Sequence, residues 1–305
     1  MKFSVFQISR KGGREKNEDR MGYCYTSESA VFLLADGMGG HPEGEVAAQL
    51  ALQAISSLFQ QEARPRLADV PAFLSEALLS AHRKILRYAM DSAALDTPRT
   101  TIVVAVLQDG KLSWTHCGDS RMYLVRESGL VTRTKDHSLI EQSLHRPDGN
   151  GAKPLHSRNA LFSCLGSPTK PIFSLAGPLP LRHDDRVMLC SDGLWTSVSE
   201  DEIVYELSQK PVETAVPDLV EKALRKGGET SDNVTCIAFE WVPPDAARGH
   251  AGVSTDDISE TVFASTIQVG WLDTHVEGQD EMDDAEIERS VAEINEAIRR
   301  SLAKK

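Results

Sequence analysis

Two pairs of helices, with a single apolar stripe on each helix of the first pair, interrupt runs of strand-like segments. That pattern restricts the fold more than any other feature of the chain. In the first pair Ala47, Leu50, Ala51, Ala54, Ile55 and Leu58 recur at spacings of three and four, as do Leu74, Ala77, Leu78, Ala81, Ile85 and Tyr88. Pro42 suits the first turn of the earlier helix. A second pair is predicted at 200–209 and 212–226. A helix with one apolar stripe packs on a sheet and does not stand inside it. Strands are expected at 2–9, 21–25, 31–35, 100–107, 112–117, 122–126, 130–132, 172–176, 186–190 and 233–241. Asp109-Gly110 is a strong two-residue hairpin signal, and Ser128-Gly129 predicts a second turn. The fold expected is α+β: a four-layer α-β-β-α sandwich of two antiparallel sheets flanked by helix pairs.

Four aspartates stand at the ends of the apolar runs. They are Asp36 before Gly37-Met38-Gly39-Gly40, Asp119 after Gly118, Asp192 before Gly193, and Asp232 within Thr230-Ser231-Asp232-Asn233. Glycine beside a strand-end carboxylate allows close backbone approach, and it leaves the Gly37 carbonyl available as a further oxygen donor. Converging carboxylates repel one another and hold their protons more tightly unless a cation lies between them. Hard oxygen donors favour magnesium or manganese over zinc, and such sites commonly act on phosphate. A fifth acidic element, Glu18-Asp19, follows Arg14, whose guanidinium offers a fork of donors to a phosphate.

Charge and cysteine usage exclude other classes. Residues 244–305 hold 14 acidic and 6 basic side chains, so most of the net charge of −12 sits in the tail. No basic stripe of the kind that binds nucleic acid is present. No stretch approaches the ~18 apolar residues of a membrane span, and the N-terminus has no signal-peptide core. Five cysteines without a C-x-x-C pair read as reduced, mostly buried thiols in a cytoplasmic protein. The absence of G-x-x-x-x-G-K-[ST] disfavours a P-loop nucleotide hydrolase.

Pro243-Pro244 opens a composition shift. The expected organisation is a catalytic domain at 1–242, an acidic linker at 243–282 with a strand-like run at 261–269, and a C-terminal amphipathic helix at 283–305. That helix either docks on the domain or binds a partner.

Taken together, Arg14, Asn17-Glu18-Asp19, Ala35-Asp36-Gly37-Met38-Gly39-Gly40, Gly118-Asp119-Ser120-Arg121, Asp136-His137-Ser138, Ser191-Asp192-Gly193-Leu194-Trp195 and Ser231-Asp232-Asn233-Val234-Thr235 resemble, in order, the motifs of the type 2C metal-dependent protein serine/threonine phosphatases in their bacterial form. The resemblance spans roughly 1–242 and leaves the tail outside. It implies two Mn²⁺ or Mg²⁺ ions and a third, weaker one. Asp36 would bridge the two ions. Asp192 and Asp232 would complete the first site, and the Gly37 carbonyl with Glu18 and Asp19 the second. Asp119 would serve the third ion, and Arg14 would grip the substrate phosphate. Water acidified by the cations would then attack phosphorus without a covalent phosphoenzyme. Phosphorylated proteins are the implied substrates, and a cognate serine/threonine kinase the implied opponent. Met38 stands where many eukaryotic relatives carry a histidine that serves as general acid, so water or His41 must protonate the leaving oxygen, and water is favoured. The loop 136–163 falls where the family has a variable flap. Its His137, His145, Arg146, Lys153, His156 and Arg158 are either solvated or a guide for phosphopeptides. Rival readings are a metal-binding scaffold without turnover and a phosphatase of anti-sigma antagonists.

Overall fold

The structure, a computed structural model, describes residues 1–41, 43–144, 160–242, 253–254 and 263–267. Pro42, the flap residues His145, Arg146, Lys153, His156 and Arg158, and the expected helix at 283–305 lie outside the described residues.

Two six-stranded antiparallel sheets face each other. Sheet A holds β1 (Lys2–Arg10), β6 (Arg121–Arg126), β7 (Gly129–Arg133), β9 (Arg186–Cys190), β10 (Val234–Val242) and β11 (Val253–Ser254), in the order β11-β1-β10-β9-β6-β7. Sheet B holds β2 (Arg20–Tyr25), β3 (Ser29–Ala35), β4 (Ile102–Gln108), β5 (Lys111–Cys117), β8 (Ser174–Pro180) and β12 (Ala264–Ser265), in the order β12-β2-β3-β4-β5-β8. Helices α1 (Gly44–Glu62) and α2 (Val70–Asp91) cover the outer face of sheet B, where Ala47, Ala51, Ile55, Leu74 and Leu78 pack on Val31, Leu33 and Val104. Helices α5 (Glu200–Gln209) and α6 (Val212–Gly227) cover sheet A through Ile203, Leu207, Val216 and Val220. Between the sheets, Phe32 of β3 stacks on Phe239 of β10 with ring centroids 4.1 Å apart, and Phe3 of β1 meets Phe32 edge-on at 5.4 Å. Each side chain buried this fully contributes about 1.5–3 kcal/mol relative to exposure. β3 and β4 are buried along their whole length, which is why they read as continuous apolar runs.

Three local expectations change. The β6–β7 turn falls on Glu127-Ser128, with Glu127 at φ 52°, and Gly129 already belongs to β7. The strand expected at 172–176 is displaced to β8. Ile172 is held by Ser163, whose Oγ accepts from the Ile172 N–H at 2.8 Å and donates to its carbonyl at 2.9 Å, so Ile172 never enters the ladder. Pro178 and Pro180 then fit β8 because it is an edge strand. Finally, β11 is a strand inside the expected linker that the sequence did not mark, and it pairs with β1; β12 falls within the strand-like run expected at 261–269 and pairs with β2. A four-residue helix, α4 (Asp192–Trp195), and a short α3 (Leu139–Leu144) complete the regular elements among the described residues.

Candidate active site

Antiparallel pairing gathers the acidic turns. Arg20 at the start of β2 lies opposite Ala35 at the end of β3, and Ile102 at the start of β4 lies opposite Cys117 at the end of β5. In sheet A, Cys190 at the end of β9 faces both Arg121 and Cys236. Starts and ends of neighbouring strands therefore share one rim. Glu18, Asp36, Gly37, Asp119, Asp192 and Asp232 line one pocket there of about 540 Å³, together with Arg14, Glu15, Lys16, Met38, Gly39, Gly40, Thr101, Leu161 and Asn233. Asp19 stands behind this wall and is 3% exposed. Its Oδ2 accepts from Ser191 Oγ at 2.8 Å, while Oδ1 is buried with no partner among the described residues.

The turns are packed against each other, and glycine is what permits it. A Cβ on Gly37 would lie 2.5 Å from the Gly44 backbone at the start of α1 and 2.8 Å from Glu18 Cβ. A Cβ on Gly193 would meet the Asn233 carbonyl at 2.1 Å. The backbone around Gly37 bridges Thr100 through the Asp36 carbonyl, which accepts from the Thr101 N–H at 2.9 Å, and through the Met38 N–H, which donates to Arg99 at 2.9 Å. In an antiparallel bridge of this kind the central residue's own carbonyl points away from the partner strand, so the Gly37 oxygen is left for another use.

The electrostatics are those of a site built for cations. Burial, then repulsion from Asp19, Asp192, Asp119 and Asp232, holds the Asp36 carboxyl well above the usual carboxylate range. Burial first, with Asp119, Asp232 and Asp19 adding to it, pushes Asp192 to about 8. Burial raises Asp119 to about 6, with Asp136 adding, and raises Asp19 to about 6 against the hydrogen bonds it accepts. Glu18 is also raised, by burial and then by Glu45. Among the described residues, no three acidic, histidine or cysteine side chains converge as a tight cage around one point. Magnesium and manganese suit this arrangement, because such ions keep several waters and need few direct protein oxygens. The orphaned Asp19 oxygen and the mutually repelling carboxylates fit such a group.

A pH dependence follows for the metal-free protein. An acid whose folded pKa lies above its unfolded value adds stability below the unfolded pKa and loses it as pH rises through the folded one. For Asp192 that window runs from the ordinary 3.8 to about 8. Thermal melts of the chelated protein should therefore fall from pH 5 to pH 8, by up to about 1.4 kcal/mol per pH unit for each extra proton held. Added Mn²⁺ should flatten the fall, since cations replace the protons. A chelated protein whose stability rose over that range would contradict this account of the carboxylates.

Several residues hold the acidic turns in place. Arg121 makes a fork to Asp136, with Nε to Oδ1 at 2.8 Å and Nη2 to Oδ2 at 2.7 Å, and its guanidinium carbon lies 3.6 Å over the Trp195 ring. Trp195 Nε1 donates to the Asp119 carbonyl at 3.0 Å. Asn233 was legible only as a letter of a motif. Its Oδ1 accepts from the Glu18 N–H, its Nδ2 donates to the Lys11 and Lys16 carbonyls, and its own N–H donates to Asp232 Oδ1. It therefore knits the Arg14–Glu18 loop to the Asp232 turn. Thr101 carried no sequence signal. Its Oγ1 accepts from the Asp36 N–H at 3.2 Å and bonds Ser120 Oγ at 2.7 Å. Arg14 stands on the rim with Nη2 2.6 Å from Asp232 Oδ2, a half-exposed pairing. His41 is not part of the pocket lining; its Nδ1 pairs with Asp96 Oδ2 at 2.9 Å. His137, in the described part of the flap, stacks on His116 at 4.4 Å and is held low, to about 4, by burial and then by His116.

The protein phosphatase 2C family model matches residues 9–226. The chain belongs to the protein phosphatase 2C family. It is 29% identical over 240 residues to the serine/threonine phosphatase stp of Listeria monocytogenes, covering 77% of this chain and 94% of that one. It is 32% identical over 261 residues to the serine/threonine protein phosphatase PstP of Mycobacterium tuberculosis, covering 83% of this chain and 48% of that one. The PstP catalytic domain solved in complex with two manganese ions superposes with a TM-score of 0.64 at 31% identity, over 78% of this chain and 98% of that one. This type 2C phosphatase is thus a bacterial-type, metal-dependent hydrolase of phosphoserine and phosphothreonine in proteins.

Proposed function

We propose that Asp36, Asp192 and Asp232 hold the catalytic pair of Mn²⁺ or Mg²⁺ ions, with the Gly37 carbonyl, Glu18 and Asp19 completing the second site and Asp119 serving a weaker third. The observation that carries this is the convergence of these oxygens on one pocket, where desolvation and mutual repulsion raise both Asp36 and Asp192. When bound, the cations neutralise phosphate charge and acidify the attacking water. The chain's own residues do the rest. Arg14 leaves Asp232 to take a phosphate oxygen and orient the ester. Met38 has no proton to give, and His41 is held by Asp96, so the leaving serine or threonine oxygen takes its proton from water. Asn233 and Thr101 keep the Glu18 and Asp36 turns in place as the ester enters.

The rim, lined by Arg14, Lys16 and Leu161, suits a phosphorylated loop or tail of a protein. A cognate bacterial serine/threonine kinase is the proposed opponent, and the cytoplasm the proposed compartment, in keeping with five free, buried cysteines. No described helix is long and apolar enough to cross a membrane. Residues 1–242 are the proposed catalytic unit, with 243–282 leading to a partner-binding helix at 283–305.

Chelation tests the core of this reading. EDTA should abolish hydrolysis of phosphothreonine peptides, and Mn²⁺ should restore it. Arg14→Ala should lower kcat/KM for the peptide by roughly 10–100-fold, mainly through KM, as expected for loss of a charge-assisted phosphate contact. Turnover that persists in chelator would rule out the metal mechanism.

A further inference from the structure

Sheet B would end in an open edge at β2, with a row of unpaired backbone groups. Residues 263–267, which lie beyond the family match, fill that edge. Ala264 pairs with Tyr25 and Ser265 with Cys24. The Thr266 N–H donates to the Tyr23 carbonyl at 3.0 Å, and Thr266 Oγ1 accepts from the Tyr23 N–H at 2.9 Å. Alternate residues turn toward α1. Phe263 packs on Phe59 with centroids 6.2 Å apart, and Ile267 is 7% exposed within the α1–α2 core. Between them Ser265 Oγ lies 3.2 Å from Cys24 Sγ, which lies 3.2 Å from Ser56 of α1. The seat is shaped for its occupant: a Cβ on Gly22 would fall 2.5 Å from Ile267 Cγ1, so only glycine there admits the side chain.

The docked strand runs antiparallel to β2, toward the end of β2 that begins at Arg20, directly after Glu18 and Asp19. It also links β2 to α1 through Cys24, Ser56 and the Phe263–Phe59 packing, and α1 starts at Gly44, where a Cβ would lie 2.6 Å from Glu18 Oε2 and 3.0 Å from the Gly37 carbonyl carbon. We propose that residues 263–267 are a built-in docking strand that clamps β2 to α1 and thereby positions the Glu18–Asp19 corner of the metal site. This rests on Glu18 and Asp19 serving the metal. The strand acts on metal affinity and leaves the chemistry of the loaded site alone.

The test uses the full chain. Ile267→Asp removes the plug; Thr266→Val keeps the plug and the Thr266 N–H bond to the Tyr23 carbonyl, and removes the hydroxyl that accepts from the Tyr23 N–H and donates to that carbonyl. Hydrogen exchange reads docking at the Tyr23 and Thr266 amides, and calorimetric titration with Mn²⁺ reads the site. In Ile267→Asp the Tyr23 amide should exchange at least tenfold faster and Mn²⁺ should bind roughly 3–10-fold more weakly, with kcat at saturating Mn²⁺ unchanged. Thr266→Val should give roughly tenfold faster exchange at Tyr23, the scale of one hydrogen bond, and a 2–3-fold weaker Kd. Asp19→Asn is the control on the site. If Asp19→Asn weakens Mn²⁺ binding while both tail variants lose Tyr23 protection without changing the Kd, the docking strand does not position the site and the proposal fails. If Asp19→Asn itself leaves the Kd unchanged, the metal role of that corner is wrong and the proposal falls with it. Unchanged Tyr23 protection in both tail variants also overturns it.

Discussion

Asp36→Asn should reduce kcat/KM toward phosphothreonine peptides by roughly 10³-fold or more while leaving the metal-free protein at least as stable as the parent. The two halves of this prediction have one cause. Desolvation and the charges of Asp19, Asp192, Asp119 and Asp232 hold the Asp36 carboxyl well above the usual carboxylate range. Asparagine keeps the shape and removes the charge that the site must otherwise neutralise, so the repulsion goes with it. On the proposed function the same charge would help hold the cations, so the catalytic loss should be severe. Asp192→Asn should behave alike. Asp119→Asn should cost less, because Asp119 is proposed to serve only a weaker third ion. Melting curves in EDTA and steady-state kinetics in Mn²⁺ check both halves. An Asp36→Asn protein that turns over within tenfold of the parent would remove Asp36 from the centre of the site.

Arg121→Ala should lower stability by about 3–5 kcal/mol, a fall in Tm of roughly 10 °C for a domain of this size. The Arg121 and Asp136 side chains are 13% and 6% exposed, so truncating the arginine strands a buried carboxylate. The guanidinium also supports the Trp195 ring, and Trp195 holds the Asp119 backbone, so a weaker response to added metal should accompany the loss. Arg121→Lys should restore only part of the stability, since an ammonium can neither fork to both Asp136 oxygens nor lie flat on the indole. Pairing Arg121→Ala with Asp136→Asn should recover part of the loss, because the stranded charge is then gone. Denaturant titration of the parent, Arg121→Ala, Asp136→Asn and the double variant gives the coupling. A single mutant within about 1 kcal/mol of the parent would show that the pair is not holding this end of β6.

Much of this molecule is readable along the chain because its signals are local. Apolar stripes of period 3.6 marked α1 and α2, and a continuous apolar run marked the body of β3, since burial on both faces favours apolar residues there. Asp109-Gly110 announced its turn because both residues adopt positive φ there. Acidic residues beside glycine marked the pocket wall. The misreadings have equally physical origins. Ser128-Gly129 looked like a turn, but Glu127 takes the left-handed conformation, leaving Gly129 free to pair with Arg126. Ile172 looked like a strand residue, but Ser163, distant in sequence, holds its backbone. Thr101 and Asn233 act through hydrogen bonds to residues 65 and 215 positions away, and no local pattern encodes such a partner.

The order of elements, the chemistry of the oxygen donors and the hard cations they suit are properties of the residues themselves, because helix and strand periodicity and ligand hardness act over a few neighbours. Which strand ends meet is a property of register. Antiparallel pairing sets the end of β3 beside the start of β2, and the end of β9 beside the start of β10, so carboxylates far apart along the chain share one buried rim and shift one another's protons. Register likewise brings residues 263–267 onto β2, where Gly22 leaves room for Ile267. Sequence spacing cannot express that fit, because it depends on a side chain and a missing Cβ meeting across an edge that exists only once the sheet has formed.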